Sequence, residues 1–415
     1  MSRVEDGGGT ERISVMDFRL DENQQMYFDM VTKFVKNEII PFSMTWDKEH
    51  AFPWKTIQKA WELGLLNLCI PESVKGYEVD VVSTTMIIRE LSYGDTGIST
   101  SAMCNDLANV VIAQNGTDEQ KELFLKPFVD EPLLSSFCLT EPNAGSDNSA
   151  MTTFIRKMDN SDHYVLNGAK CFITNASYAS QYTVFCKVGK PSSQLMACVI
   201  VPVPPLRPDD LNGPITTSRE IILPNGGKIL IGKPEDKLGQ RLSNTASVTF
   251  EDVIIEPHQI IGDRRRGFQY VVDVLDFARP MVAAIGLGLA RRALDVTLAY
   301  TRERKQFGER ICDLPVARDM LVEMWRKVEL GELTLMRAAI KVQDQDADRG
   351  VYASLAKNVC AEAGLFCANE GLHLHGGYGF MMEYEISKLV RDAHIIDIYE
   401  GVREVQNMII GREII

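Results

Sequence analysis

Apolar residues recur at helical spacing along the first third of the chain. In "DENQQMYFDMVTKFVKNEII" Met26, Met30, Phe34 and Ile39 stand at helical spacing behind an N-cap candidate, Asp21, and Pro41 is expected to end the helix. "PWKTIQKAWELGLL", "VSTTMIIRELSYG" and "GTDEQKELFLKPFV" read as further helices, so the chain from Asp21 to about Phe128 is predicted helical. After Ser135 the pattern shortens to β-rich runs punctuated by Asn-Gly, Pro and Asp: "HYVLNGAKCFITN", "QYTVFCKV", "LMACVIVPV", "REIILPNGGKILIG" and "ASVTFEDVIIE". In the first of these, Asn167-Gly168 reads as a hairpin turn followed by a strand, and "LPNGGK" (223–228) is a stronger hairpin signal. From Gly267 onward three long helices are predicted, and Pro280 either moves the start of the first to near Arg279 or kinks it. The order is α, then β, then α: a helical bundle split by a small β domain.

A chain of 415 residues buries a large core and has room for two or three domains. Apolar content of 45% and charged content of 24% fit a soluble globular protein. A net charge of −13 argues against a nucleic-acid surface. No apolar run approaches the roughly 20 residues that span a bilayer, so no membrane partner is expected. The nine cysteines are scattered and form no C-x-x-C pair, which points to reduced, mostly buried thiols. Residues 1–15 are Gly-rich, carry Glu5, Asp6 and Glu11, and read as a flexible extension before Met16.

Four segments could carry chemistry, and each alone has an ordinary structural explanation. "CLTEPNAGSD" (138–147) is a turn of small and polar residues; "NGAKCFITN" (167–175) is a turn and strand. "RERKQFG" (302–308) places basic residues at a helix C-terminus, where they suit the dipole. "HGGYGF" (375–380) is a glycine-rich turn open to close backbone approach. His373 and His375 form an H-x-H pair with no carboxylate or cysteine at ligand spacing, so no metal site is assigned. There is no P-loop and no strand–GxGxxG–helix unit.

In this order, the four segments together with "IYEG" (398–401) resemble the acyl-CoA dehydrogenase family of flavoenzymes across residues 16–415. "CLTEPNAGSD" matches its first signature, and "GGYGF…KLVRDA…IYEG" its second. The resemblance implies an α+β fold with an N-terminal all-α domain (16–135), a middle antiparallel, barrel-like β domain (136–262) and a C-terminal four-helix domain (263–415). It also implies FAD, a homotetramer built as a dimer of dimers, electron transfer flavoprotein as electron acceptor, and the bacterial cytoplasm or mitochondrial matrix as location. The implied reaction removes the α-proton of an acyl-CoA thioester while hydride leaves Cβ for the flavin.

By the same resemblance Glu400 is the base. Ile395, Ile396, Ile398 and Tyr399 supply apolar surroundings that raise its basicity, and its own N–H, with a flavin ribityl hydroxyl, would donate to the thioester oxygen. Phe137, Leu139 and Thr140 match the segment on the pyrimidine end of the flavin, Thr174 the position beside N5, and Phe172 a position where tryptophan is common. Arg304, Phe307, Gly376 and Gly377 match residues that reach the FAD of a neighbouring subunit, with His373, Val402 and Glu404 counted among the cofactor positions. His373 stands where glutamine is common and Val402 where threonine is, which weakens the implied phosphate contacts. For the substrate, Ser146, Asp276 and Arg279 match residues along CoA, Tyr399 and Gly401 flank the thioester, and Ser99, Thr100, Met103, Cys104 and Leu107 are expected to floor the acyl pocket. With no charge there and a large Met103, a short, branched or cyclic acyl group is expected. Asp95 and Asp106 are expected at the solvated surface, or, if inward, as a second acid–base group. Residues 204–230 are longer than the usual connection and predict an extra hairpin. An acyl-CoA oxidase, a dehydrogenase of dicarboxylic or aromatic acyl-CoA, and a catalytically idle scaffold are the alternatives.

Overall fold

The computed structural model describes residues 19–207 and 213–415, and the backbone of a short strand pair at Arg3–Val4 and Arg12–Ile13. The rest of the 1–15 extension, and residues 208–212 of the long connection, lie outside the described residues.

The first domain is helical. Asp21 caps Glu22–Phe34 through a capping box with Gln24, satisfying amides that the first turn leaves open. Pro41 does not end the helical run. The backbone passes through a π-turn at Val35–Ile39 into Ile40–Glu49, with Pro41 in the first turn, where a missing N–H costs nothing. Trp54–Glu62, Val81–Gly94, Thr96–Asn115, Asp118–Phe124 and Lys126–Asp130 complete it.

The middle domain is a nine-stranded, mostly antiparallel sheet. Its path runs from Ile260–Ile261 through Met196–Pro202, Ala179–Val188, Phe154–Lys157, Tyr164–Thr174, Thr245–Ile255 and Lys228–Ile231 to Arg219–Ile222. Two pairings are parallel: Leu134–Cys138 and Phe154–Lys157 each lie beside Ala179–Val188 in that sense. Asn167-Gly168 makes no hairpin, because Tyr164–Thr174 is one strand. The Asn167 side chain is used across the ladder by Asp252, at 3.1 and 2.9 Å, and Gly168 is required by the Thr153 backbone, which a Cβ would meet at 2.6 Å. Arg219–Ile222 and Lys228–Ile231 do form a hairpin, closed by Gly226 and Gly227 at positive φ.

The C-terminal domain is built on Gly267–Glu303, which runs through Pro280 without a break. Pro315–Gln343 and Arg349–His375 pack on it, followed by the shorter Glu385–Ile396 and Arg403–Ile414. Gly286 and Gly364 let two of these helices touch: a Cβ on Gly286 would lie 2.7 Å from the Cys360 carbonyl. One apolar core joins the first and last domains and a second fills the sheet interior. All nine cysteines are free. Among the described residues no helix is long and apolar enough to cross a membrane.

Candidate active site

Where the three domains meet there is a cavity of about 510 Å³. One wall is the helix Thr96–Asn115, which presents Thr100, Met103, Cys104 and Leu107. The segment 137–148 contributes Phe137, Leu139, Thr140 and Ser146, and the end of the long strand adds Phe172 and Thr174. Leu275 and Arg279 enter from the long helix, Ile395 from the end of Glu385–Ile396, and the turn after it brings Ile398, Tyr399, Glu400, Gly401 and Val402.

Segment 138–148 has little regular structure of its own and is held by a buried ion pair. Lys170 donates to Glu141 and to the Leu139 carbonyl, both at 2.9 Å, and Glu141 also accepts from the Thr152 and Thr153 amides. Lys170 and these donors hold the Glu141 carboxyl at about 2, against the burial that would raise it. The Cys171 amide donates to the Thr140 carbonyl at 3.0 Å, so Thr140 faces the cavity beside Phe172. Phe172 is 68% exposed and sits at φ 58, a conformation rare for an aromatic residue.

Glu400 lies in the turn, not on a helix, with φ 54, followed by Gly401 at φ 98. Gln406 donates to the Glu400 and Gly401 carbonyls at 3.2 and 3.0 Å, and Lys357 donates to the Gly401 carbonyl at 2.8 Å. With its carbonyl turned inward, the Glu400 N–H has no acceptor among the described residues. Burial pushes the carboxyl up to about 7, while Arg279 and Lys357 pull against that rise. Beside it, the Tyr399 phenol receives a long contact from Gln240 Nε2 at 3.5 Å, and Gln240 Oε1 accepts from Thr100 at 3.0 Å. A carboxylate with pKa near neutrality, an unpaired amide and an apolar wall can abstract a weakly acidic proton and hold the oxyanion that forms.

Several expected residues stand elsewhere. Ser99 does not line the cavity; its hydroxyl donates to the Ile88 carbonyl of the neighbouring helix at 2.8 Å. Ile396 packs in the core. Asp276 flanks the cavity through Arg279, which donates to it at 2.7 Å. Asp95 and Asp106 are not solvated, being 2% and 1% exposed. Asp95 caps Thr96–Asn115 and takes Lys388 at 2.7 Å; Asp106 accepts from the Cys69 amide at 2.7 Å. Neither lines the cavity. Arg304, His373, Gly376 and Gly377 line a separate groove of about 450 Å³ with Tyr300 and Tyr378. Phe307, 94% exposed, projects from the adjoining hairpin of Lys305–Gln306 and Glu309–Arg310, and Glu404 is exposed in the first turn of the last helix. His375 is buried against Tyr300, ring centres 4.2 Å apart, while His373 is exposed beside Glu370. Lys357, Gln406 and the Lys170–Glu141 pair were missed from sequence. For Lys357, Lys170 and Gln406 the only signal was a charged or amide residue at an apolar position of its element; Glu141, in a loop, gave none.

Three family models cover the chain in order: the acyl-CoA dehydrogenase N-terminal domain at residues 21–132, middle domain at 136–253 and C-terminal domain at 265–415. The chain belongs to the acyl-CoA dehydrogenase family. Probable acyl-CoA dehydrogenase YngJ of Bacillus subtilis is 35% identical over 404 residues, 96% of this chain and 100% of the relative. Isobutyryl-CoA dehydrogenase, mitochondrial, of Bos taurus is 30% identical over 413 residues, 99% of this chain and 94% of that one. The structure of butyryl-CoA dehydrogenase from Megasphaera elsdenii superposes with a TM-score of 0.85 at 32% identity, covering 96% of this chain and 99% of that chain.

As a member of this family the chain is an FAD-dependent enzyme that dehydrogenates acyl-CoA. Its own residues fit that cofactor. The Phe172 ring offers an exposed apolar face beside the hydroxyls of Thr140 and Thr174, neither of which has a hydrogen-bond partner among the described residues.

Proposed function

We propose that the chain dehydrogenates a short or branched acyl-CoA at the α,β bond, with Glu400 as the base. The observation that carries this reading is the turn itself: a carboxylate near pKa 7 opening into the cavity, with an unpaired N–H on the same residue. Glu400 Oε takes the α-proton, and its amide donates to the thioester oxygen as negative charge collects there. FAD, when bound, supplies the hydride acceptor for Cβ. Leu139, Thr140, Phe172 and Thr174 would hold its ring system. Arg304, Phe307, His373, Gly376 and Gly377, in the separate groove and hairpin, would meet its outer part from a neighbouring subunit of a homotetramer. Ser146, Asp276 and Arg279 would lie along CoA.

Met103, Cys104 and Leu107 close the acyl end with apolar bulk and no charge, which favours a short or branched chain. The bovine and Megasphaera relatives, isobutyryl- and butyryl-CoA dehydrogenase, are named for acyl groups of that size. Electron transfer flavoprotein is the proposed acceptor. Anaerobic bleaching of the flavin by a panel of straight, branched, dicarboxylic and aromatic acyl-CoAs tests the substrate, and short or branched esters should bleach fastest. Re-oxidation is then followed with electron transfer flavoprotein or oxygen. Rapid re-oxidation by oxygen alone would replace this reading with an oxidase, and failure of every ester to bleach would sink it.

A further inference from the structure

The proposed reaction leaves one buried cation without a task. Lys357, on Arg349–His375, is 0% exposed, a rare state for lysine. Its one hydrogen bond among the described residues is to a neutral group, the Gly401 carbonyl, at 2.8 Å. The charged groups that face it are Asp397 and Glu400 in the turn, Arg279 on the long helix and Arg403 at the start of the last helix. Three of these are already compensated: Arg403 and Asp397 pair with each other at 3.0 Å, and Arg279 pairs with Asp276 at 2.7 Å. That leaves the Lys357 ammonium and the Glu400 carboxylate as the unpaired opposite charges of the cluster.

The backbone makes the same connection. Glu400 sits in the left-handed region, which is costly for a side chain with a Cβ and persists only where neighbours enforce it. Gln406 and Lys357 grip the two carbonyls that define this turn. Gln406 can supply geometry alone, whereas Lys357 supplies geometry and charge.

We propose that Lys357 is a positioning residue for the reaction: its ammonium pins the Gly401 carbonyl, fixing the turn that aims Glu400, and its charge, beside that of Arg279, favours the ionised form of the Glu400 carboxylate. The inference rests on Glu400 being the base. Burial lowers Lys357 to about 8, so the ammonium is present at neutral pH.

The test uses the FAD-loaded full chain and two variants, Lys357→Met, which removes donor and charge, and Lys357→Gln, which keeps a donor. Anaerobic flavin reduction by a short acyl-CoA is followed against pH, with the melting temperature and the KM for the ester measured alongside. In both variants the acid limb of the rate profile should move up by about one pH unit, since a cation that favours the carboxylate is gone. Lys357→Met should also lose about tenfold or more in plateau rate with little change in KM, because the turn loosens. Lys357→Gln should recover part of that plateau. Folded variants whose acid limb stays where the wild type's lies would overturn the proposal. So would failure of both variants to fold, which would make Lys357 a scaffold residue. A wild type that no acyl-CoA bleaches would instead defeat the dehydrogenase reading, and this inference with it.

Discussion

Two turns in this molecule press a carboxylate into apolar surroundings, one at residues 399–401 and one at 67–69, against which Asp106 packs. Burial acts on both in the same direction, lifting Glu400 to about 7 and Asp106 to about 6. The difference is access and partners. Glu400 opens into a cavity of about 510 Å³, faces Arg279 and Lys357, and carries an unpaired amide. Asp106 is 1% exposed, accepts from the Cys69 amide with one oxygen, leaves the other without a partner among the described residues, and does not line that cavity. Raised basicity alone does not make a base; a route for the substrate and a group to receive the developing charge are what separate these two sites.

The comparison breaks most visibly at Glu400 itself. Glu400→Gln keeps the shape of the turn and removes the proton acceptor, so flavin reduction by substrate should fall about 10²–10⁴-fold while ester binding persists. Stopped-flow reduction and equilibrium titration read the two quantities separately. Gly401→Ala should cost less, about ten- to a hundredfold in the same rate, since alanine at φ 98 is strained and its Cβ would lie 2.3 Å from Gln406 Nε2. Its melting temperature should drop by only a few degrees. Asp106→Asn should change the rate by less than about twofold, as no substrate reaches that residue; a larger loss would mean that the second turn serves chemistry after all.

Asp106 should show itself in stability instead. The folded chain prefers the neutral acid up to about pH 6, whereas the unfolded chain ionises near its ordinary value of about 4. Between these values the unfolded state holds fewer protons, so stability falls as pH rises through the window and is level above it. The decline should be on the order of 1–3 kcal/mol in denaturant titrations, and Asp106→Asn should flatten it.

The α–β–α order was legible because periods of 3.6 and 2 survive wherever one face of an element is apolar, as in "ASVTFEDVIIE" and in the helix at Glu22–Phe34. Glu400 was legible only through the "IYEG" signature. Its left-handed backbone depends on Gln406 and Lys357, side chains whose direction a pattern does not encode. Charged residues at core positions misled most: Asp95 reads as surface until Lys388, far along the chain, is found at 2.7 Å. Local turn rules misled at Asn167-Gly168, where tight packing against Thr153, and not a reversal, demands the glycine.

The central claim is that the group opening into the cavity, and no other carboxyl, accepts the proton. It is tested most directly by single-turnover anaerobic reduction of the wild type and of Glu400→Gln by one good acyl-CoA, measured against pH. The account predicts a wild-type rate that climbs through about pH 7 to a plateau, and a small residual rate in the variant that no longer titrates there. A Glu400→Gln protein that keeps both the wild-type rate and its acid limb would place the base elsewhere and contradict it.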